Sequence, residues 1–205
     1  MSGVATSNWP QPDRIENEHV SLELLREDLA PELIAAADSP ATFRYFSRGP
    51  DPFDEAGMRA FIAFLLGPAE TQPFAVFDRT SERYVGITTY YDLRPAHQSL
   101  EIGWTWYAPS VRGTAVNPAC KRLLLGHAFD TLGAHRVALR TDARNTASRR
   151  AMEKLGAQHE GLWREHVVMP DGHRRTSAYY SILSPEWPGV RAGLDERLAA
   201  VRRNS

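Results

Sequence analysis

Apolar and polar positions along this chain follow two periods, and an element boundary is expected wherever the period changes. Residues 20–25 alternate well enough for a first strand, and 29–37 read as a short helix broken before Pro40. Residues 42–48 are rich in aromatics and arginine, after which Gly49-Pro50 turns the chain. Met58, Phe61, Ile62 and Leu65 recur at helical spacing. Residues 74–77 and 84–91 read as strands joined by a polar turn. A strand at 100–107 leads through a turn into a helix whose Leu124, Leu125, Ala128, Phe129 and Leu132 make one apolar stripe, with Gly133 as its stop. Residues 135–139 are again a strand, and Ala147, Ala151 and Leu155 mark the inner face of the next helix. Residues 159–169 and 174–183 pair as a hairpin across Pro170-Asp171-Gly172. Ser184-Pro185 opens a last helix, 185–201, that carries Trp187, Val190, Leu194, Leu198 and Val201. Residues 1–17 are polar and expected to be loose.

No repeat or linker interrupts this pattern, so residues 1–205 read as one α/β domain. The strand–helix–strand unit in the middle implies at least one parallel pair with a right-handed crossover. With 42% hydrophobic residues the chain can bury a proper core. Its formal charge of −1 offers no basic face of the kind nucleic acid requires. Cys120 is the one cysteine, which excludes an internal disulfide and a thiolate zinc site. The first eleven residues lack the basic start and apolar core of a signal peptide, and no apolar run approaches a membrane span. The expectation is a soluble, cytoplasmic protein with no metal, membrane or nucleic-acid partner; a homodimer is compatible with the sequence. Neither Gly-x-Gly-x-x-Gly nor the Gly-Lys-Ser/Thr of a P-loop occurs, which disfavours both nucleotide folds.

The stretch from Leu100 to Gly156 carries the chemistry. Between strand and helix lies Val111-Arg112-Gly113-Thr114-Ala115-Val116-Asn117, followed by Pro118. Asn117 suits an N-cap and Pro118 the first helical position. A turn entering a helix presents free N–H groups and the positive end of the dipole, a setting for a phosphate. Lys121 and Arg122 near that end oppose the dipole, a cost that a bound phosphate would offset. After the next strand, Asn145 either caps the helix beginning at Thr146 or serves a ligand, with Ser148 in its first turn.

This ordered set resembles the cofactor half of the GNAT superfamily of acyl-CoA-dependent N-acyltransferases. Gly113-Thr114-Ala115 matches the family's pyrophosphate loop, Asn145 and Ser148 its second signature, and Lys154-Leu155-Gly156 the end of the following helix. The likeness is clearest for the ribosomal-protein N-acetyltransferase-like branch and covers about residues 20–183. It implies a GNAT fold: a mixed, mostly antiparallel sheet with a central parallel strand pair splayed around acyl-CoA, flanked by helices. It implies acetyl-CoA as cosubstrate, with Arg112, Gly113, Thr114, Ala115, Val116, Asn117 and Lys121 at the pyrophosphate, and Ile102, Gly103 and Trp104 along pantetheine. Asn145 would bond the pantetheine arm, with Ser148 near the thioester. In two places the chain departs from the pattern: Ser110 stands where the family often has Arg or Gln, and Met152 where many members have a Tyr acid.

Acyl transfer from a thioester to an amine needs a base for the ammonium, a donor for the oxyanion and, optionally, an acid for the thiolate. Glu101 is the expected base, with His97, Glu165 and His166 behind it, and Ser148 is the remaining motif residue able to donate a proton. Strand alternation puts Ile102, Trp104 and Trp106 on one face and Glu101 and Gly103 on the other. Cys120 reads as a buried structural thiol. An acceptor wall is expected from residues 43–46 and the Pro170-Asp171-Gly172 hairpin, with Arg44, Tyr45 and Trp104 touching the acceptor and Arg44 or Arg48 placed for a carboxylate. The expected function is transfer of acetyl from acetyl-CoA to a primary amine on a protein N-terminus or small molecule. The alternative is a non-catalytic acyl-CoA-binding sensor or scaffold.

Overall fold

The computed structural model describes Trp9 and residues 12–203. Its strands are β1 (Arg14–Glu16), β2 (Val20–Leu24), β3 (Gln72–Asp78), β4 (Arg83–Arg94), β5 (Ser99–Tyr107), β6 (Arg136–Asp142), β7 (Gln158–Val168) and β8 (Arg174–Leu183). The helices are α1 (Ala30–Ala37), α2 (Glu55–Leu66), α3 (Val116–Gly126), α4 (Thr146–Leu155) and α5 (Trp187–Arg203). The strands form one eight-stranded sheet in the order β1-β2-β3-β4-β5-β6-β8-β7. Every neighbouring pair is antiparallel except β5 and β6, which are parallel and joined through α3. The mixed sheet with one central parallel pair is the expected architecture.

Helices cover both faces of the sheet. Leu33, Met58, Phe61 and Ile62 of α1 and α2 pack with Ala75, Ile87 and Trp106 on one face. Leu124 and Leu125 of α3, Leu155 of α4 and Leu194 and Leu198 of α5 pack with Val76, Tyr90, Leu100, Ile102 and Leu139 on the other. Trp187 anchors α5: its indole stacks on Phe129, and its Nε1 donates to Asp130 Oδ1 at 2.8 Å. The hairpin closes as expected, with Gly172 at φ +80° and its N–H donating to Met169 O.

Four local expectations are corrected. Part of the N-terminal segment expected to be loose is ordered, because Arg14–Glu16 pairs with β2; residues 1–8, 10 and 11 of that segment lie outside the described residues. The helix after the turn does not run unbroken to Gly133. It passes at Gly126 into a wider π turn, His127–Thr131, that keeps Ala128 and Phe129 buried. It also begins earlier, with Ala115 as N-cap, so Asn117 is the second helical residue and Pro118 the third. A proline there still removes only an N–H that lacks a helical acceptor.

The fourth correction concerns β5. Between Thr89↔Gly103 and Ile87↔Trp106, two steps along β4 match three along β5. The extra residue sits in a β-bulge where Trp104 adopts φ +47°, the left-handed region. Alternation fails across such a bulge. Ile102 therefore packs toward α3 and α5, whereas Trp104 and Trp106 pack toward α1 and α2. Trp104 lies 5.4 Å from Phe64 and 5.8 Å from Phe46, ring centre to ring centre.

Candidate active site

The bulge coincides with a parting of the parallel pair. β5 and β6 hydrogen-bond only from Ser99↔Arg136 to Ile102↔Leu139, although both strands continue. Beyond Ile102, the backbone groups that point from β5 toward β6 have no strand partner. A cavity of about 550 Å³ fills this gap and reaches both faces of the sheet, a size suited to a small-molecule site.

On the α3/α5 face the cavity meets the turn after β5. Gly113 has φ +81°, and a side chain there would meet nothing within 4 Å, so the glycine serves the backbone turn and leaves open space outside it. The N–H groups of Gly113 and Ala115 have no acceptor among the described residues. Thr114 is spent on the turn itself: its hydroxyl donates to Val111 O at 2.7 Å and accepts from Val116 N–H. Arg112 braces the turn from outside, donating Nε to Tyr107 O at 3.1 Å and Nη2 to Thr42 Oγ1 at 3.0 Å. Lys121, one turn into α3, lines the cavity half-buried. Burial lowers its ammonium to about 8, and no described residue hydrogen-bonds or ion-pairs with it.

Asn145, Ser148 and Met152 of α4 form the adjoining wall. Asn145 is the N-cap of α4, its Oδ1 accepting from Ser148 N–H at 3.1 Å while the residue also faces the cavity. The two readings of Asn145 are thus compatible: the cap fixes where the side chain stands. Gly156, at φ +99°, ends α4.

Across the sheet, Glu101 is 6% exposed and does not line the cavity. It sits behind Tyr91, whose hydroxyl donates to Oε1, and behind Arg140, whose Nε is 3.1 Å from the same oxygen. Burial raises the Glu101 carboxyl above its ordinary value, with Arg140 and Tyr91 pulling the other way. Burial also keeps Tyr91 protonated, well above the usual phenol range. Gly103 makes this packing feasible, because a Cβ there would stand 2.4 Å from Tyr91 Cε1. His166 of β7 lines the cavity, its imidazole lowered by burial and by Arg140.

The structure brings Ile102, Gly103, Trp104, Arg112, Gly113, Asn117, Lys121, Asn145, Ser148 and Tyr45 to one cavity. The side chains of Thr114, Ala115 and Val116 do not line it. Arg44 is exposed over the Tyr45 ring, and Arg48 lies over Phe64, so neither reaches the cavity wall. Phe43 is core, 5.3 Å from Trp106, and the hairpin contributes its flanks, His166, Val167 and Arg175, in place of its turn. Sequence reasoning missed Tyr91, Arg140, Arg175 and Arg197. They come from strands and a helix far apart in the chain, and no local spacing marks them.

A turn with free N–H groups at a helix start, opening on a gap between parted parallel strands, defines the class of acyl-CoA-dependent acyltransferases. Residues 19–158 match the Acetyltransferase (GNAT) domain, and the chain belongs to that family. The Bacillus subtilis protein named "Putative ribosomal N-acetyltransferase YdaF" is 26% identical over 179 residues, 85% of this chain and 97% of that protein. A crystal structure of an acetyltransferase from T. thermophilus is 37% identical with a TM-score of 0.88, covering 93% of this chain and 100% of that one. Mycobacterium smegmatis RimJ, solved in complex with CoA-disulfide, shares the fold at 22% identity and a TM-score of 0.72, covering 87% of this chain and 88% of that one. The likeness thus runs to the ribosomal-protein acetyltransferase-like branch. No helix among the described residues is long and apolar enough to cross a membrane.

Proposed function

We propose that this acetyltransferase moves an acetyl group from acetyl-CoA to a primary amine by direct attack on the thioester. The parting of β5 and β6 carries the reading. It leaves backbone donors and acceptors free along a cavity that joins an anion-binding turn on one face to a titratable cluster on the other. The Gly113 turn and Lys121 would hold the pyrophosphate. Asn145 and the open edge of β5 would align pantetheine by adding it as a strand. An N–H at the Trp104 bulge is suited to the oxyanion.

The amine must arrive unprotonated or lose its proton in place. Glu101 is the base in this reading, acting through Tyr91, which touches both the carboxylate and the cavity. Tyr91 can donate to Glu101 while accepting from the ammonium, so the proton moves without a phenolate forming. The raised carboxyl brings the base nearer to the amine in proton affinity. Ser148 is the group at hand to protonate the departing thiolate, whose low basicity makes that help optional.

Acetyl-CoA turnover against a panel of small amines and peptides tests the proposal. Amide formation matched by CoA release supports it. Tight acetyl-CoA binding with no amide from any member would instead favour a sensor or scaffold.

A further inference from the structure

The cavity wall is not charged like the rest of the chain. The chain carries 24 Lys and Arg against 25 Asp and Glu. The wall carries Arg112, Lys121, Arg140, Arg175 and Arg197, and no Asp or Glu among the described residues. Arg112 and Lys121 adjoin the Gly113 turn and Arg197 extends from α5, the end at which a polyanionic cofactor would neutralise them. Arg140 and Arg175 stand apart, with Tyr91, His166 and Tyr45.

Their partners leave positive charge over. Arg140 donates to Tyr179 Oη at 2.7 Å and pairs with Glu101, a side chain only 8% exposed that lies behind it. Arg175 donates to Ser177 Oγ at 2.8 Å and to Tyr45 O at 3.3 Å, both neutral, and ion-pairs with no described residue. Asp142 acts on Arg175 from a distance but is held by Arg144 at 2.8 Å. Two guanidinium groups thus share one tucked-away carboxylate in a partly enclosed space, where an unmatched charge is costly. Burial and Arg140 depress Arg175, as expected of a cation lacking its counter-ion.

We propose that the acceptor amine carries a carboxylate, and that Arg175, with Arg140 beside it, receives that carboxylate while the amine faces the parted strands. The planar guanidinium suits paired hydrogen bonds to carboxylate oxygens. The same field repels an ammonium, which favours the free amine that attacks. The carboxylate could belong to a free amino acid or to an acidic side chain near a peptide N-terminus. The proposal rests on the acyltransferase reading above.

The test measures kcat/KM at saturating acetyl-CoA for matched acceptors: free amino acids, their α-amides, and short peptides with or without Asp or Glu beside the N-terminus. Carboxylate acceptors are expected to be favoured on the order of tenfold or more, chiefly through KM. The free amino acid or the acidic peptide shows the gain according to the source. In Arg175→Gln the preference should vanish, and in Arg175→Glu it should reverse toward acceptors with a second cationic group. Thermal unfolding and acetyl-CoA calorimetry verify that each variant is folded; if neither folds, the matched pairs on the parent protein decide alone. Equal kcat/KM within the pairs, or a preference that survives in folded Arg175→Gln, overturns the proposal while leaving acyl transfer standing. If no acceptor of either class is acetylated, the acyltransferase reading fails and this proposal falls with it.

Discussion

Lys121 gives the account a quantitative handle on cofactor binding. Its ammonium is lowered by burial from 10.5 to about 8, it lines the cavity beside the Gly113 turn, and it has no partner among the described residues. A group titrating near 8 is half neutral at pH 8. A diphosphate seated on the turn would restore its charge by drawing in a proton. Uptake on acetyl-CoA binding is therefore about 0.1 proton per protein at pH 7, about 0.5 at pH 8 and about 0.9 at pH 9. By linkage, affinity should weaken roughly tenfold between pH 7 and pH 9 through this group. The assay is titration calorimetry at pH 8 in buffers of different ionisation enthalpy, where the slope of observed heat against ionisation enthalpy counts protons. Lys121→Met supplies the control: it should bind acetyl-CoA more weakly and abolish the uptake. No uptake by the parent protein, or the same uptake in Lys121→Met, would refute the placement of the pyrophosphate at this lysine.

Three further outcomes are expected. Glu101→Gln should lower kcat on the order of 100-fold or more with acetyl-CoA affinity nearly unchanged; near-parental kcat at neutral pH would move the base to His166 or water. Gly103→Ala places a methyl against the Tyr91 ring, so it should cost about 1–3 kcal/mol. Differential scanning calorimetry should find a melting temperature lower by about 2–12 °C, and no change would mean Tyr91 is not held by Gly103. His127 and His166 are both depressed, His127 by burial and His166 by burial with Arg140. The stability they contribute is present above the unfolded value of about 6.5 and is lost as pH falls below it. Melting curves between pH 7 and pH 5 should fall more steeply for the parent than for a His127→Gln/His166→Gln double variant; parallel curves would contradict the assignment.

The elements were legible because apolar periodicity reports burial directly. Met58, Phe61 and Ile62 spell a helix face, and Pro170-Asp171-Gly172 spells a hairpin turn. The cofactor end was legible too, since Gly113, Asn145 and Ser148 lie within one strand–helix–strand–helix unit. The bulge was hidden because alternation assumes unbroken pleating, and nothing in Gly103-Trp104-Thr105 announces that Trp104 takes a positive φ. Arg44 attracted attention as a cation among aromatics, yet its side chain turns outward over Tyr45. Arg140 and Arg175 look like solvated strand residues in sequence. Only the pairing of β6 with β8 brings them to the same wall.

The central claim is that the gap between β5 and β6 is the seat of acyl transfer, with the Gly113 turn as its phosphate site. A crystal structure of the protein with acetyl-CoA tests it most directly. The account predicts the diphosphate on the N–H groups around Gly113 and Ala115 with Lys121 against it, pantetheine along β5, and the thioester beside the Trp104 bulge. Cofactor bound elsewhere on the surface, or a gap that stays closed to it, would contradict the account.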